Sequence, residues 1–380
     1  MSRSSKYIIH AVTVSRSLGF FKPISNDLQD MGYKVVYLSS PGPELETMHS
    51  DGLKTLPIPM ERRMSPFKDL VSLFRLIKAF KTEKPYIVHS MTPKAGMLCM
   101  LAAWITRVPR RVHTFTGLVW PTATGLSRRI LMMTDWITCA CATHVIPEGR
   151  GVMNDLQTHI TKKPMKVLGY GNVRGVDMER FSLRPEIIDS SANIRKDGVF
   201  TFLFVGRIVR DKGINELVNA FQRLNHEFPD TRLLLVGAYE ENLDPINAES
   251  VQIINESRNI EHVGVKRDDD LVTYYAASDC FVFPSYREGF PNTVMEAGAM
   301  GLPCIVTDIN GSREIIIDGR NGVIIPSKDE DSLYQAMHDM LLEEDRYKEY
   351  RSNARPLIER RFEKGFVKQC ILDFYKESLF

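Results

Sequence analysis

Short apolar runs alternate along the chain with segments whose apolar residues recur at helical spacing. In the first half, residues 7–14, 34–38, 87–89, 111–114, 144–146 and 165–169 read as strands, and stretches such as 66–80 and 94–106 read as amphipathic helices. The pattern restarts near residue 200. Residues 199–205, 232–236, 260–263, 280–284, 303–307 and 322–325 are strand candidates, with helices between them that include 213–225 and 270–277. Such alternation predicts an α/β fold with parallel sheets covered by helices on both faces. The restart predicts two Rossmann-like, doubly wound domains, one over 1–186 and one over 199–362, joined in the polar stretch 189–198. The last helix, 363–380, is expected to pack back on the first domain. Ligands in such folds sit at the carboxyl ends of the strands, so a cleft between the domains is the expected site.

Composition alters this picture little. A chain of 380 residues is long for one core, and 43% hydrophobic with 25% charged residues is ordinary for a soluble protein. No repeat and no low-complexity tract stands out. The longest clean apolar run, 97–105, falls far short of the ~20 residues that span a bilayer. The opening residues lack a secretory cleavage pattern. The six cysteines are scattered among apolar neighbours without a CxxC pair, which reads as free thiols in a reducing cytoplasm.

Charge changes the picture more. Residues 1–185 carry 26 Lys+Arg against 13 Asp+Glu, a balance of +13, while the rest carries −11. A basic half on a near-neutral chain suggests an anionic surface or ligand on that side, such as a membrane leaflet or a phosphorylated acceptor. A solvated basic face is the plainer alternative. No nucleic-acid partner is expected.

Two constellations carry chemistry. In FLFVGRIVRDKGINELV a buried strand ends at Val205, Gly206 permits a tight turn, and a helix starts near Gly213. Arg207 and Lys212 then lie between a strand end and a helix N-terminus, which suits an anion, the alternative being two surface charges that flank a loop. In YREGFPNTVMEAGAMGLP, Glu288 and Glu296 are eight apart. Asn292 or Thr293 is placed to cap a helix that carries Glu296 in its first turn, and the small residues Ala297, Gly298, Ala299 and Gly301 suggest close approach to a ligand or to the sheet.

These stretches, at this order and separation, resemble glycosyltransferase family 4 of the GT-B fold, in its bacterial lipid-linked saccharide and surface polysaccharide branch. GRIVRDKG, HVGVKRDD and SYREGFPNTVMEAGAMGLPCIVTDINGSREIIIDGRNG carry the likeness, with VHSMTPKAGMLCMLAA and GYGNVRGVDMERF in the first half. The resemblance implies two Rossmann-like domains facing a cleft and a retaining transferase that needs no metal and no cofactor. Its donor would be a nucleotide sugar, with UDP expected, and its acceptor a saccharide, expected to be lipid-linked. Arg207 and Lys212 would hold the diphosphate. Glu296 would bind the ribose and Glu288 the transferred sugar. Gly289, Phe290, Pro291, Asn292 and Thr293 would touch sugar and phosphate, and Val263 to Val265 would border the base.

One departure bears on the acceptor side. Relatives carry a T-x-H-G histidine, whereas HTFTGL here puts Thr116 at that position and His113 three residues earlier. His113 either serves the acceptor or packs inside its strand. Lys94, in MTPKAG, faces an acceptor phosphate or is a surface lysine. Asp268, Asp269 and Asp270 imitate a metal motif but precede an apolar helix, so capping is the expected role. Arg128 and Arg129, with Trp120 and Trp136 taken as exposed, suit a membrane interface, or belong to a core helix with two solvated arginines. A cytoplasmic enzyme that visits a membrane is therefore expected. A nucleotide-sugar epimerase or phosphorylase, an inactive binding scaffold, and a transferase with a soluble acceptor are the alternatives.

Overall fold

The structure is a computed structural model that describes residues 7–62, 65–240 and 244–379. Residues 1–6, read above for a targeting signal, lie outside them. Twelve strands among the described residues form two six-stranded, all-parallel sheets. The first contains β1 (Tyr7–Ala11), β2 (Lys34–Ser39), β3 (Lys54–Pro57), β4 (Ile87–Met91), β5 (Arg110–Phe115) and β6 (His144–Pro147), in the order β3-β2-β1-β4-β5-β6. The second contains β7 (Phe200–Val205), β8 (Thr231–Val236), β9 (Ile260–Gly264), β10 (Cys280–Phe283), β11 (Cys304–Thr307) and β12 (Gly322–Ile325), in the order β12-β11-β10-β7-β8-β9. Central strands such as β4 and β10 are buried along their whole length, as expected for a sheet covered on both faces.

In each sheet the connections run outward in opposite directions from a central pair, β1 and β4 in the first and β7 and β10 in the second. The carboxyl ends of such a pair form a crevice where ligands bind in open α/β sheets. The architecture is the double Rossmann-like arrangement of the GT-B fold.

Two expectations are corrected. Residues 165–169 form no strand; apart from the Lys166 N–H on the Val145 carbonyl, the segment runs into a turn at Gly169 and Gly171, both at positive φ. The sixth strand of that sheet is instead the edge strand β3, whose KTLP sequence is too short and too polar to give an apolar signal. The units also divide earlier than the polar stretch suggests. The first unit runs to Arg174 and takes back the segment from Val367, and the second is Gly175–Phe366. Val176, Met178, Phe181 and Ile187 already belong to the second core, so 189–198 lies inside that unit. The returning C-terminal segment buries Val367, Ile371, Leu372, Phe374 and Tyr375 in the first core.

The cysteines are free; five are buried and Cys370 is partly exposed. Among the described residues no helix is long and apolar enough to cross a membrane.

Candidate functional site

The second sheet brings the two constellations together at its central strand pair. Beyond β7 the chain continues through Gly206 to Arg207 while still pairing with the segment after β8, through the Ile208 N–H on the Ala238 carbonyl at 2.8 Å. The crossing is tight: a Cβ on Gly237 would lie 1.7 Å from the Gly206 carbonyl oxygen. This pairing sets Glu240 beside Arg207, whose Nη1 donates to Glu240 Oε2 at 2.8 Å. Burial opposes the charge of Arg207, but the Glu240 hydrogen bond and carboxylate outweigh it and raise the pKa further. The Arg207 side chain remains 44% exposed, open to a ligand.

The chain then makes a 3-10 turn, Arg210–Lys212, and enters the helix Ile214–Glu227 through Gly213 at φ 71°. A Cβ at that position would sit 2.1 Å from the Pro284 carbonyl oxygen, so only glycine lets this loop meet the one after β10. The meeting is strapped by two ion pairs. Arg287 reaches Asp211 at 3.2 Å, and the Lys212 ammonium lies against the Glu288 carboxylate, with both side chains largely buried. Ser285 Oγ lies 3.1 Å from Oε1 of Glu288, and the Phe283 ring centroid lies 5.6 Å from Lys212 Nζ.

The next helix is Asn292–Ala299, with Pro291 at its N-cap and no capping side chain. Asn292 and Thr293 are therefore its first two residues rather than caps. Glu296 is the fifth residue and falls in the second turn. The first N–H groups of a helix have no intrahelical acceptor, so this end favours an anion. Gly311, at φ 78°, closes over the preceding loop; a Cβ there would be 2.5 Å from the Gly289 carbonyl oxygen and 2.7 Å from Phe290 Cα. Glu296 is held from behind by Tyr275, a buried phenol whose hydroxyl donates to Oε2 at 3.1 Å. Burial first, and the Glu296 charge second, push the Tyr275 pKa well up, so it stays a donor. The small side of the helix has another cause than the one expected: a Cβ on Gly298 would be 2.6 Å from Ile358, so the close approach is to the helix Glu344–Phe362.

At the end of β9, Val263 is half-buried and Val265 is exposed. Beside them Tyr239 meets His262 at 4.6 Å between ring centroids, and His262 Nε2 lies 2.8 Å from the Gly237 carbonyl oxygen. Sequence reasoning missed Glu240, Tyr239, Ser285 and Tyr275. Tyr239, Glu240 and Ser285 follow strand ends and were open to discovery there; Tyr275, on the helix Asp268–Ala276, reaches the site only through packing.

The first unit sorts its candidates differently. His113 takes the packed alternative: its ring is buried against Phe115 and Gly96, with Nδ1 2.8 Å from Ser90 Oγ, and burial lowers its pKa to about 3. Thr116 follows β5 and is partly exposed. Lys94 is no free surface lysine, because it pairs with Asp69 at 2.5 Å in a largely buried contact. Trp120, expected to be exposed, is buried, with Arg128 5.5 Å from its ring; Trp136 is exposed. Asp268, Asp269 and Asp270 form the first turn of the helix Asp268–Ala276, whose N-cap is Arg267. Asp268 pairs with Arg180 at 3.3 Å and Asp269 with Arg184 at 2.7 Å. Among the described residues no three His, Cys, Asp or Glu side chains gather as ligands for a metal.

The chain resembles known proteins over nearly its whole length. Residues 186–356 match the family described as glycosyl transferases group 1, and residues 22–171 match the glycosyl transferase 4-like domain. The capsular polysaccharide biosynthesis glycosyltransferase CapM of Staphylococcus aureus is 30% identical over 98% of this chain and 97% of its own. The UDP-Gal:alpha-D-GlcNAc-diphosphoundecaprenol alpha-1,3-galactosyltransferase of Escherichia coli is 30% identical over 73% of this chain and 71% of its own. Among solved structures, Anabaena Alr3699/HepE in complex with UDP superposes with a TM-score of 0.79 at 16% identity, covering 97% of this chain and 99% of that one.

Proposed function

The chain belongs to the family 4 glycosyltransferases, and on that premise we propose that it moves a hexose or N-acetylhexosamine from a UDP-sugar to a saccharide on an undecaprenyl diphosphate carrier, in assembly of a capsule or related surface glycan. The observation that carries the reading is the convergence of Arg207, Lys212, Glu288 and the N-terminus of Asn292–Ala299 at the carboxyl ends of β7 and β10. The names of the two relatives support the carrier and the pathway class.

In the proposed reaction the bond from the sugar anomeric carbon to the diphosphate oxygen breaks, and the acceptor oxygen bonds to that carbon. The acceptor proton leaves with the diphosphate or to solvent. Negative charge grows on the departing diphosphate. Arg207, Lys212 and the helix N-terminus offset it from fixed positions, the role a divalent ion plays elsewhere, so we propose that no metal is required. Glu288 binds hydroxyls of the moving sugar, and Glu296 binds the ribose. Transfer retains configuration, in keeping with the alpha-1,3 product of the E. coli relative.

Membrane association belongs to the same reading. Its support is the basic first half together with a stripe on the helix Pro66–Glu83, where Phe67, Leu70, Val71 and Phe74 are exposed at helical spacing beside Lys68, Arg75 and Lys78. The test of the function is incubation with a panel of nucleotide sugars and N-acetylglucosamine diphosphate on a short polyprenyl chain. Mass spectrometry should find one added sugar from a UDP donor, with an α-anomeric proton by NMR. Transfer only from a non-UDP donor, or an inverted product, overturns the corresponding part.

A further inference from the structure

The first sheet has its own crevice, at the carboxyl ends of β1 and β4, topologically equivalent to the one that holds the donor candidates in the second. A cavity of about 670 Å³ opens there. Its polar end is formed by the loops after the two strands. Thr92 adopts φ 72°, a strained conformation for a β-branched residue. Thr13 holds it there: the Thr13 N–H donates to Thr92 Oγ1 at 3.1 Å, and the two hydroxyl oxygens lie 2.8 Å apart. Lys94, two residues after Thr92 and paired with Asp69, belongs to this end, and Arg62 also lines the cavity. Apart from Ser17 and Thr134 the rest of the wall is apolar, with Leu73, Met97, Leu98, Leu101, Ile130 and Leu131 contributed by the helices Pro66–Glu83, Pro93–Ile105 and Gly125–Cys141. None of these residues is used by the donor site.

A sugar ring alone does not match such a wall. Polar ligands need convergent hydrogen-bonding groups, whereas this wall rewards buried methylenes, each of which multiplies affinity about fourfold. A short cationic end joined to a long aliphatic one fits an amphiphile with an anionic head. Two of the lining helices also turn apolar side chains outward, with Phe67 88% and Leu126 72% exposed, so the wall continues into a surface suited to lipid.

We propose that this cavity binds the isoprenoid chain of a lipid diphosphate acceptor, with its diphosphate at Lys94 and Arg62. The proposal rests on the lipid-linked reading above and deepens it. Asp69 cancels one of the two positive charges, so the head is held weakly and the chain does most of the selecting.

The test uses the full chain and farnesyl diphosphate, with farnesol and inorganic pyrophosphate as comparisons. By calorimetry farnesyl diphosphate should bind at least 30-fold more tightly than pyrophosphate. Leu101→Trp and Leu131→Trp, both at partly exposed wall positions, should weaken farnesyl diphosphate at least tenfold while UDP still binds. Lys94→Ala should weaken farnesyl diphosphate several-fold and leave farnesol unchanged. Equal affinity for pyrophosphate and farnesyl diphosphate, or Trp variants that bind farnesyl diphosphate as the parent does, overturns the assignment. A benzophenone-tagged farnesyl diphosphate on the unaltered protein removes any dependence on variant folding. Its label should map to Pro93–Ile105 or Gly125–Cys141, and labelling elsewhere overturns the cavity. Sugar transfer to a lipid-linked acceptor without label in these helices sinks the cavity alone. Label in them without transfer keeps the cavity and sinks the acceptor reading.

Discussion

The ammonium of Lys212 lies against the carboxylate of Glu288, joining the loop after β7 to the loop after β10. Two residues expected to touch different parts of one donor are thus each other's partner. The pair fixes both side chains where the 3-10 turn Arg210–Lys212 meets an irregular loop.

Arg207→Ala and Lys212→Ala should each lower kcat by a factor on the order of 10²–10³, the usual cost of removing one preorganised charge from a reacting centre. Arg207 is well exposed and its loss should leave the fold intact by circular dichroism. Near-normal turnover in either variant would remove it from the diphosphate site.

The two glutamates should fail differently. Glu288→Gln should act mainly on kcat, because its proposed partner changes charge during transfer. Glu296→Gln should act mainly on the KM for donor, since ribose is held alike before and during reaction. Tyr275→Phe should mimic the second defect more mildly, and removing this hydrogen bond should cost about 1–2 kcal/mol of stability in urea melts. A kcat-only defect in Tyr275→Phe would contradict its role behind Glu296.

Activity should survive dialysis against excess EDTA. Arg207, Lys212 and a helix N-terminus face the proposed diphosphate, and Asp268 and Asp269 are committed to Arg180 and Arg184. Restoration of lost activity by Mg²⁺ or Mn²⁺ would show that these cations do not suffice.

Liposome co-sedimentation should show binding that needs anionic lipid and weakens with salt, since each basic residue at the surface contributes up to ~1 kcal/mol within a Debye length. Arg128→Ser with Arg129→Ser should reduce it, and Phe67→Ser with Phe74→Ser should reduce it without altering the salt slope. Equal binding to neutral lipid, or none at low salt, would favour a soluble acceptor.

The first unit should lose stability in acid. Burial lowers the pKa of His10 and His113 to about 3, and holds His89 well below the ordinary value of 6.5. The unfolded chain therefore binds more protons below pH 6.5. The stability these rings allow is complete above that pH and is lost as pH falls toward 3, at up to about 1.4 kcal/mol per pH unit for each. Asp135 works in the opposite sense: burial raises its pKa to about 7, so stability falls as pH rises from 3.8 to 7. Thermal melts from pH 8 to 4 on the parent and on Asp135→Asn separate the two. A flat profile in Asp135→Asn would contradict the neutral buried histidines.

The sequence by itself determined the two parallel sheets and the identity of the donor candidates. Apolar runs of strand length mark strands buried on both faces. The glycines at 206 and 213, with the cations beside them, mark a strand end that turns into a helix, and both signals are local. The sequence could not give β3, an edge strand with little to bury, nor the true unit boundary, which depends on Val176 and Phe181 packing against a core assembled from distant segments. It left His113 undecided because a histidine next to a turn looks the same whether it faces a ligand or, as here, Gly96 and Phe115. Only tertiary structure brought Tyr275 behind Glu296 and set Lys212 on Glu288. It also opened an aliphatic cavity among three helices, where local pattern had marked only Lys94, Arg128, Arg129 and Trp136. Contacts between residues far apart in sequence depend on how elements pack, and local pattern does not encode that.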